Sequence, residues 1–246
     1  MERREKWVNR QNPVKYKAVI FDLFGTLVKS FTRQEYDQVD AQMAKAVDIP
    51  FSEFWRLVGE TWNDRCLGHY GSVEDNIKDI CRRFGVEVDT TQITQAANYH
   101  YEFIRNAIIP ERNVLEALTM LKNRGLQLGL ISNCGPEVPL LWGQSPLAQL
   151  IDIPVFSCKE HVSKPSIGIY EITSHRLQVK PQKCIYVADG SNEELTNAAA
   201  KGMLPILKRT TLNDVYDKHR PEVKSWPGLA IDEIRELSDI LRELEV

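Results

Sequence analysis

The pattern of hydrophobic and polar positions predicts three short strands that are buried on both faces. Apolar residues run almost without interruption over 17–21, 127–131 and 184–188. Such runs are typical of the parallel sheets of α/β proteins. The residues that follow them are polar, namely Asp22, Ser132 and Asp189. Because ligands bind beyond the carboxyl ends of such strands, we expect these side chains to converge.

Helical patterns alternate with these runs. Apolar residues recur at helical spacing over 113–124, 166–177 and 193–201, and over the tail at 231–244. Gly125 and Gly202 follow two of these segments and are typical helix-ending residues. This alternation predicts an α/β fold with a Rossmann-like, doubly wound parallel sheet.

Residues 30–108 follow a different pattern. They show helical periodicity over 36–47, 51–62, 73–84 and 93–104, with no convincing strand run. An all-helical block after the first strand of an α/β core predicts an inserted, all-helical cap domain. We therefore expect a core formed by 13–29 and 109–246, a cap at 30–108 and a polar N-terminal extension at 1–12.

The composition narrows the class of partner. The 246 residues are 43% hydrophobic and carry a net charge of -3, which gives no electrostatic reason to expect nucleic acid or an anionic membrane. No apolar run approaches the roughly 20 residues that span a bilayer, and no apolar signal core follows the charged N-terminus. We expect a cytoplasmic protein with a small anionic substrate, and a homodimer is compatible with the sequence. The cysteines lack C-x-x-C spacing, which argues against a disulfide framework or a structural zinc site.

Asp22 is the first candidate for chemistry. It directly follows a predicted strand and precedes Gly25 and Thr26, so it lies on a tight turn. Backbone N–H groups of such a turn can hold an anion while the carboxylate attacks it. The alternative is a strand that simply ends in an Asx-type turn.

Other polar positions carry weaker signals. The pair Ser132 and Asn133 could bind an anion or merely form a loop. Lys164 could neutralise a charged nucleophile or be an ordinary surface lysine. Asp189 and Glu194 could bind Mg²⁺, directly and through water, or merely begin a helix.

The order of these signals along the chain is more specific than any one of them. The four segments read FDLFGTL at 21–27, LISN at 130–133, SKP at 163–165 and VADGSNEEL at 187–195. Together they resemble the four motifs of the haloacid dehalogenase-like (HAD) superfamily of aspartate-nucleophile hydrolases. The resemblance covers the core, about 16–29 and 109–207. The helical segment between them matches the family only in position and in helical character.

The resemblance implies a covalent mechanism. Asp22 would attack phosphorus or carbon and form an aspartyl ester, which water then hydrolyses. Thr26 and Ser132 would hold the substrate anion, and Lys164 would stabilise the charged nucleophile.

The resemblance also implies a metal and a substrate site. Mg²⁺ would bind Asp22, the Phe24 backbone carbonyl and Asp189 directly, and Glu194 through water. Phe24, Gly25 and Asn133 would lie against the substrate.

Phe24 departs from the pattern of the family's phosphatases, which place a second aspartate two residues after the nucleophile. A phenyl ring cannot protonate a leaving group or activate water, and loss of a general acid typically costs about 10²–10⁴-fold in rate. A good leaving group, slow phosphate hydrolysis and carbon–halogen chemistry all remain open. The family's haloacid dehalogenases carry an aromatic residue here, but they use no metal and have a small polar residue in place of Asp189. Repulsion between Asp22 and Asp189 therefore favours Mg²⁺ and a phosphatase, ahead of a dehalogenase or a regulatory protein without turnover.

The cap is expected to select the substrate. Segment 62–71 combines aromatic and polar residues with two glycines and is the candidate specificity loop. Within it, Arg65 could contact an anionic group of the substrate. The alternative is a solvated turn between cap helices.

Overall fold

The computed structural model of the protein describes residues 15–210 and 220–244. Within them, six parallel strands form one sheet in the order β3-β2-β1-β4-β5-β6. The strands are β1 (Ala18–Phe21), β2 (Gln127–Ser132), β3 (Ile153–Phe156), β4 (Cys184–Ala188), β5 (Leu204–Lys208) and β6 (Leu229–Ile231). The helices are α1 (Arg33–Ala46), α2 (Phe51–Glu60), α3 (Trp62–Cys66), α4 (Val73–Phe84), α5 (Thr90–Ala107), α6 (Arg112–Asn123), α7 (Glu137–Leu141), α8 (Ser157–Glu160), α9 (Ile167–Arg176), α10 (Glu194–Ala200), α11 (Pro221–Ser225) and α12 (Leu237–Leu244).

Strand β1 lies at the centre of the sheet. Ala18 pairs with Gln127 of β2 on one side and with Cys184 of β4 on the other. The chain order of the strands therefore reverses between β1 and β4. In open α/β sheets, the crevice at such a reversal is where ligands bind. The predicted α/β fold is confirmed, and it brings the ends of β1 and β4 to this crevice.

The three apolar runs coincide with β1, β2 and β4 to within one residue. Strands β3, β5 and β6 were not predicted. Pro154 interrupts the apolar pattern of β3, Pro205 interrupts that of β5, and β6 has only three residues. Proline removes a backbone donor and weakens the sequence signal for a strand.

The helix expected over 231–244 is present but begins later than expected. Ile231 ends β6, where it pairs with Lys208 of β5. A 3-10 turn at Ile234–Glu236 follows, and α12 begins only at Leu237. Pairing with β5 satisfies the backbone hydrogen bonds of 229–231, so the apolar residues there belong to the sheet and the helix starts after them.

The insertion between β1 and β2 is helical, as expected, and forms the cap. Local capping residues mark where its helices begin and end. Thr32 forms a capping box at the start of α1, and Asp89 forms one at the start of α5. Gly85 ends α4 in a left-handed conformation. Apolar residues of α1, α2, α4 and α5 pack into a core of their own. The boundaries of the predicted domains stay predictions.

The remaining expectations concern the N-terminus, the cysteines and the membrane. The predicted extension at 1–12 lies outside the described residues. All five cysteines are free and buried. Among the described residues, no helix is long and apolar enough to cross a bilayer.

Candidate active site

Asp22 lies directly after β1 at the centre of the sheet. Its backbone N–H donates to Val187 of β4 (3.0 Å), and its side chain is buried. The chain then turns, since Leu27 N donates to the Leu23 carbonyl at 2.9 Å. This turn brings the Thr26 hydroxyl back to Asp22, where it donates to Oδ2 at 3.1 Å. One carboxylate oxygen is thereby oriented by a neighbour four residues away.

Lys164 occupies the other oxygen of Asp22. Its Nζ donates to Asp22 Oδ1 at 2.5 Å and to Glu194 Oε2 at 2.6 Å, and its side chain is 2% exposed. Burial alone would lower the pKa of Lys164, but the carboxylates of Asp22 and Glu194 outweigh it and raise that pKa. The ammonium group is therefore a fixed positive charge between two carboxylates.

Asn133 fixes the backbone of Lys164. Its Oδ1 accepts from Lys164 N at 2.8 Å, and its Nδ2 donates to the Lys164 carbonyl at 2.9 Å. Both hydrogen-bonding groups of the amide are therefore directed at another residue of the chain. Ser132, its neighbour, is the last residue of β2 and is buried. Strand β2 thus delivers two polar residues to the same edge of the sheet as Asp22.

Asp189 and Glu194 follow β4 and are fully buried. One ligand oxygen from each of these two residues and from Asp22 lies within 4.8 Å of the others. Glu194 accepts hydrogen bonds from Lys164, from the Tyr186 hydroxyl (2.9 Å), and from the amide and hydroxyl of Ser191 (3.1 and 3.3 Å). Burial raises the pKa of Glu194, against the lowering effect of Lys164. Glu194 is therefore enclosed by donors from its own chain.

Gly25 allows Asp189 to approach the turn after β1. Its φ of +86° is in the left-handed region, and an added Cβ would lie 2.0 Å from Asp189 Oδ2 and 2.6 Å from Ser30 Oγ. A side chain at position 25 would therefore meet both a strained backbone and an occupied space. This glycine contributes room for the Asp189 carboxylate.

Arg220 is a residue of the site that the sequence did not indicate. It lies between β5 and β6, is 7% exposed, and donates from Nη1 to Asp189 Oδ2. Its Nη2 lies 3.5 Å from Ser30 Oγ. The arginine stands 31 residues after Asp189 and belongs to no local motif, so only the three-dimensional fold brings it here.

Phe24 packs against the cap. Its ring centroid lies 4.6 Å from that of Phe31, which in turn packs against Tyr36 (4.8 Å) and Phe103 (5.1 Å). Phe24 is partly buried at the edge of the main apolar core. Such aromatic contacts add to the stability of burial by about 0.5–1.5 kcal/mol each. Phe24 therefore joins the turn after β1 to the cap.

Arg65 occupies a different place from the other predicted site residues. Its Nη2 donates to the Val58 carbonyl at 3.0 Å, and its guanidinium lies 5.2 Å from the centre of the Trp62 ring. Both contacts are within the cap. Arg65 also helps to lower the pKa of Glu137, although burial opposes this and His100 contributes more. Neither contact is with Asp22 or with a residue that hydrogen-bonds to Asp22.

The buried charges around Asp22 do not balance. Within the described residues, the cluster holds the carboxylates of Asp22, Asp189 and Glu194 and the cations of Lys164 and Arg220. With all five groups ionised, one negative charge is in excess. Buried charges are costly unless they are paired, so the excess is relieved either by a further cation or by a proton on Glu194, whose pKa is raised by burial.

The parallel sheet, the cap inserted after β1 and the carboxylate at the end of β1 define an α/β core of the hydrolase type. The haloacid dehalogenase-like hydrolase family matches residues 16–201, which is most of the chain. The chain therefore belongs to this family.

Relatives of two kinds resemble the chain equally well. It is 26% identical over 238 residues to a glyceraldehyde 3-phosphate phosphatase of Methanopyrus kandleri, covering 93% of this chain and 98% of that protein. It is also 26% identical over 243 residues to an (S)-2-haloacid dehalogenase of Pseudomonas putida, covering 92% and 96%. Sequence identity alone does not separate the two activities.

A solved structure shows the same fold. The HAD family enzyme of Bacteroides thetaiotaomicron, in complex with magnesium and inorganic phosphate, superposes with a TM-score of 0.60. It is 14% identical, and the match covers 82% of this chain and all of that chain. At this identity the likeness establishes the fold.

Proposed function

We propose that the protein is a Mg²⁺-dependent phosphatase that hydrolyses a small phosphorylated metabolite with Asp22 as its nucleophile. The observation that carries the proposal is the convergence of three buried carboxylates, Asp22, Asp189 and Glu194, within 4.8 Å. When all three are ionised, Lys164 and Arg220 leave one of their charges unbalanced. Phosphatases and magnesium complexes among the relatives and solved structures support the same reading.

The donor set fits Mg²⁺. Mg²⁺ prefers oxygen ligands, is usually held by one or two carboxylates and keeps several waters. Asp22 and Asp189 would bind it directly with the Phe24 backbone carbonyl. Glu194, whose oxygens already accept four hydrogen bonds, would act through water. When bound, the metal supplies positive charge for the oxygens of the transferred phosphoryl group.

The residues of the chain orient the nucleophile. Thr26 and Lys164 each occupy one oxygen of Asp22, so the carboxylate cannot rotate without breaking a hydrogen bond. Holding a reacting group in one orientation removes part of the entropic barrier to attack. Ser132 would bind one of the remaining phosphate oxygens. The N–H of Gly25, the other residue expected at the substrate, already donates to the Val28 carbonyl at 2.8 Å. Attack of Asp22 on phosphorus would form an aspartyl phosphate and break the P–O bond to the leaving group, which departs as an oxyanion. Water would then hydrolyse the aspartyl phosphate to the free Asp22 carboxylate and inorganic phosphate.

A 2-haloacid dehalogenase is the second candidate, and two observations favour it. Phe24 cannot protonate a leaving group, and a halide needs no proton to leave. Arg220 places a cation of the chain beside Asp189, which reduces the repulsion that a metal would otherwise relieve. The excess negative charge of the cluster favours the phosphatase.

A release assay separates the two candidates. Purified protein is incubated with 4-nitrophenyl phosphate, acetyl phosphate, glyceraldehyde 3-phosphate and (S)-2-chloropropionate, with Mg²⁺ or with chelator. We expect phosphate release that needs Mg²⁺ and is absent in Asp22→Asn. Halide release in the presence of chelator would identify the dehalogenase. No turnover above the Asp22→Asn control would favour a binding or regulatory role.

A further inference from the structure

Arg220 is bound to the same carboxylate that the proposed function assigns to Mg²⁺. Its guanidinium contacts Asp189 Oδ2 and lies beside Ser30. Gly25 adjoins both of these residues, since a Cβ added to it would meet Asp189 Oδ2 and Ser30 Oγ. The side chain of Arg220 is 5% exposed, so solvent does not weaken its contact with Asp189 greatly. Because arginine stays charged in proteins, the carboxylate carries a permanent positive partner.

The segment that bears Arg220 is anchored to the fold. Glu222 accepts from Leu195 N at 2.9 Å and from Thr196 N at 2.7 Å, at the first turn of α10. An added Cβ on Gly190 would lie 3.2 Å from Val223 and 3.5 Å from Glu222, so this segment packs on the backbone just after Asp189. Arg220 is therefore held at a high effective concentration beside its carboxylate.

Two cations cannot both make a close contact with Asp189 Oδ2 without strong repulsion. Like charges a few ångströms apart in a buried site repel strongly even at an effective dielectric constant of about 20. The other oxygen of Asp189 accepts from Ser191 N at 3.2 Å. A divalent ion that binds Asp189 is therefore repelled by the guanidinium of Arg220.

We propose that Arg220 is a built-in cation that neutralises Asp189 in the metal-free protein and leaves this carboxylate when Mg²⁺ binds. The inference rests on the proposed function, since it takes Asp22 and Asp189 as the metal ligands. Glu222 keeps the backbone in place, so the exchange moves the Arg220 side chain alone. The consequence is a site that stays folded without metal but binds Mg²⁺ more weakly than its carboxylates would by themselves.

The test measures Mg²⁺ binding directly rather than through turnover. Isothermal titration calorimetry gives the Kd of Mg²⁺ for the wild type, for Arg220→Met, which keeps the length but removes the charge, and for Arg220→Lys, which keeps the charge. Arg242→Met, which breaks an exposed pair with Asp239, is the control for losing an arginine elsewhere. We expect Arg220→Met to bind Mg²⁺ about tenfold more tightly or better. Arg220→Lys and Arg242→Met should stay close to the wild type.

Thermal melts provide the second readout. In chelator, Arg220→Met should melt below the wild type, because Asp189 then lacks its buried partner. Saturating Mg²⁺ should remove most of that difference. In the wild type, the guanidinium resonances of Arg220, assigned by their absence in Arg220→Lys, should change on addition of Mg²⁺. This last measurement remains decisive if Arg220→Met does not fold.

The outcomes distinguish this inference from the proposed function. If the wild type binds Mg²⁺ and Arg220→Met binds it equally or more weakly, or the Arg220 resonances stay unchanged at saturation, Arg220 does not exchange with the metal. The metal-dependent phosphatase would survive that result. If neither protein binds Mg²⁺, both the exchange and the proposed metal site are overturned.

Discussion

Asn133 and Lys164 exchange two hydrogen bonds, one in each direction, although 31 residues separate them. The amide of Asn133 at the end of β2 thereby fixes the peptide of Lys164. The ammonium group of the same lysine contacts Asp22. Asn133 therefore acts through Lys164 on Asp22, the proposed nucleophile, and we infer that it is a positioning residue.

Asn133→Ala should lower kcat more than it changes KM. The substitution removes both hydrogen bonds to the Lys164 backbone, each worth about 1 kcal/mol, so we expect a loss of about tenfold or more. Steady-state kinetics on the best substrate measure this. Asn197→Ala is the matched control, because it removes a single hydrogen bond from a side-chain amide to the Glu193 carbonyl. An unchanged kcat in Asn133→Ala would show that Lys164 keeps its position without the amide.

Asp22→Asn should abolish turnover while the protein stays folded. The amide has nearly the shape of the carboxylate but is a far weaker nucleophile. Lys164 Nζ would keep an oxygen acceptor, so the melting temperature should change little. Phosphate or halide release is measured beside a thermal melt. Activity at a tenth of the wild type would contradict the covalent mechanism.

Chelation should remove activity, and Mg²⁺ should restore it where Ca²⁺ does not. Mg²⁺ requires compact octahedral coordination, whereas Ca²⁺ takes more ligands at longer distances. Asp189→Ala should behave like the chelated enzyme. Full activity in excess chelator would overturn the metal site and leave the dehalogenase as the better assignment.

The sequence predicts the parts of the site that lie in local motifs. Asp22 and Asp189 each follow an apolar run directly, and the register of a parallel sheet then brings such strand ends to one edge. Arg220 belongs to no periodic segment, and its place depends on how the segment 220–225 packs beside Asp189. Long-range contacts of this kind leave no signal in a local pattern.

The cap illustrates the same limit. The helical periodicity of 30–108 predicts its class because an apolar stripe is a local property. Arg65 was expected in a specificity loop, yet the structure places it in the short helix α3, where it donates to Val58. The pairing of cap residues across helices cannot be read from their spacing alone.

Asp40→Asn should change how stability depends on pH. Asp40 lies in α1, and burial raises its pKa to about 6, against the lowering effects of His100 and Arg65 and with a small raising effect of Asp37. Among the described residues, its Oδ2 has no hydrogen-bond partner. The folded state therefore holds this proton more tightly than the unfolded state does. That contribution to stability is complete below the ordinary pKa and is lost as the pH rises through about 6.

We expect the wild type to lose about 1–3 kcal/mol between pH 4 and pH 8 from this group, and Asp40→Asn to lack that loss. Denaturant titrations across this range measure it, with Asp239→Asn as an exposed control. The comparison uses the slope with pH, because the new amide can shift stability by a constant amount. Equal slopes in the two proteins would show that Asp40 is not protonated preferentially in the folded state.

Phe24→Asp tests whether the phenyl ring replaces a missing general acid. A phosphatase without an acid should hydrolyse aryl and acyl phosphates much faster than alkyl phosphates, because their leaving groups depart as stabilised anions. A carboxyl group at position 24 should then accelerate alkyl phosphates by about tenfold or more. Aryl phosphates should gain less at the first step. The quantity to measure is the ratio of alkyl to aryl turnover.

The same substitution removes the contact between Phe24 and Phe31, which joins the turn after β1 to the cap. Phe24→Leu is therefore the matched control, since it also loses the aromatic pair but gains no acid. Both variants should melt below the wild type, and only Phe24→Asp should raise the alkyl-to-aryl ratio. A ratio that stays at the Phe24→Leu value in a folded Phe24→Asp protein would mean that Phe24 does not stand in for a general acid. The phosphatase would then need another source of protons, and the aromatic residue at this position would favour halide chemistry.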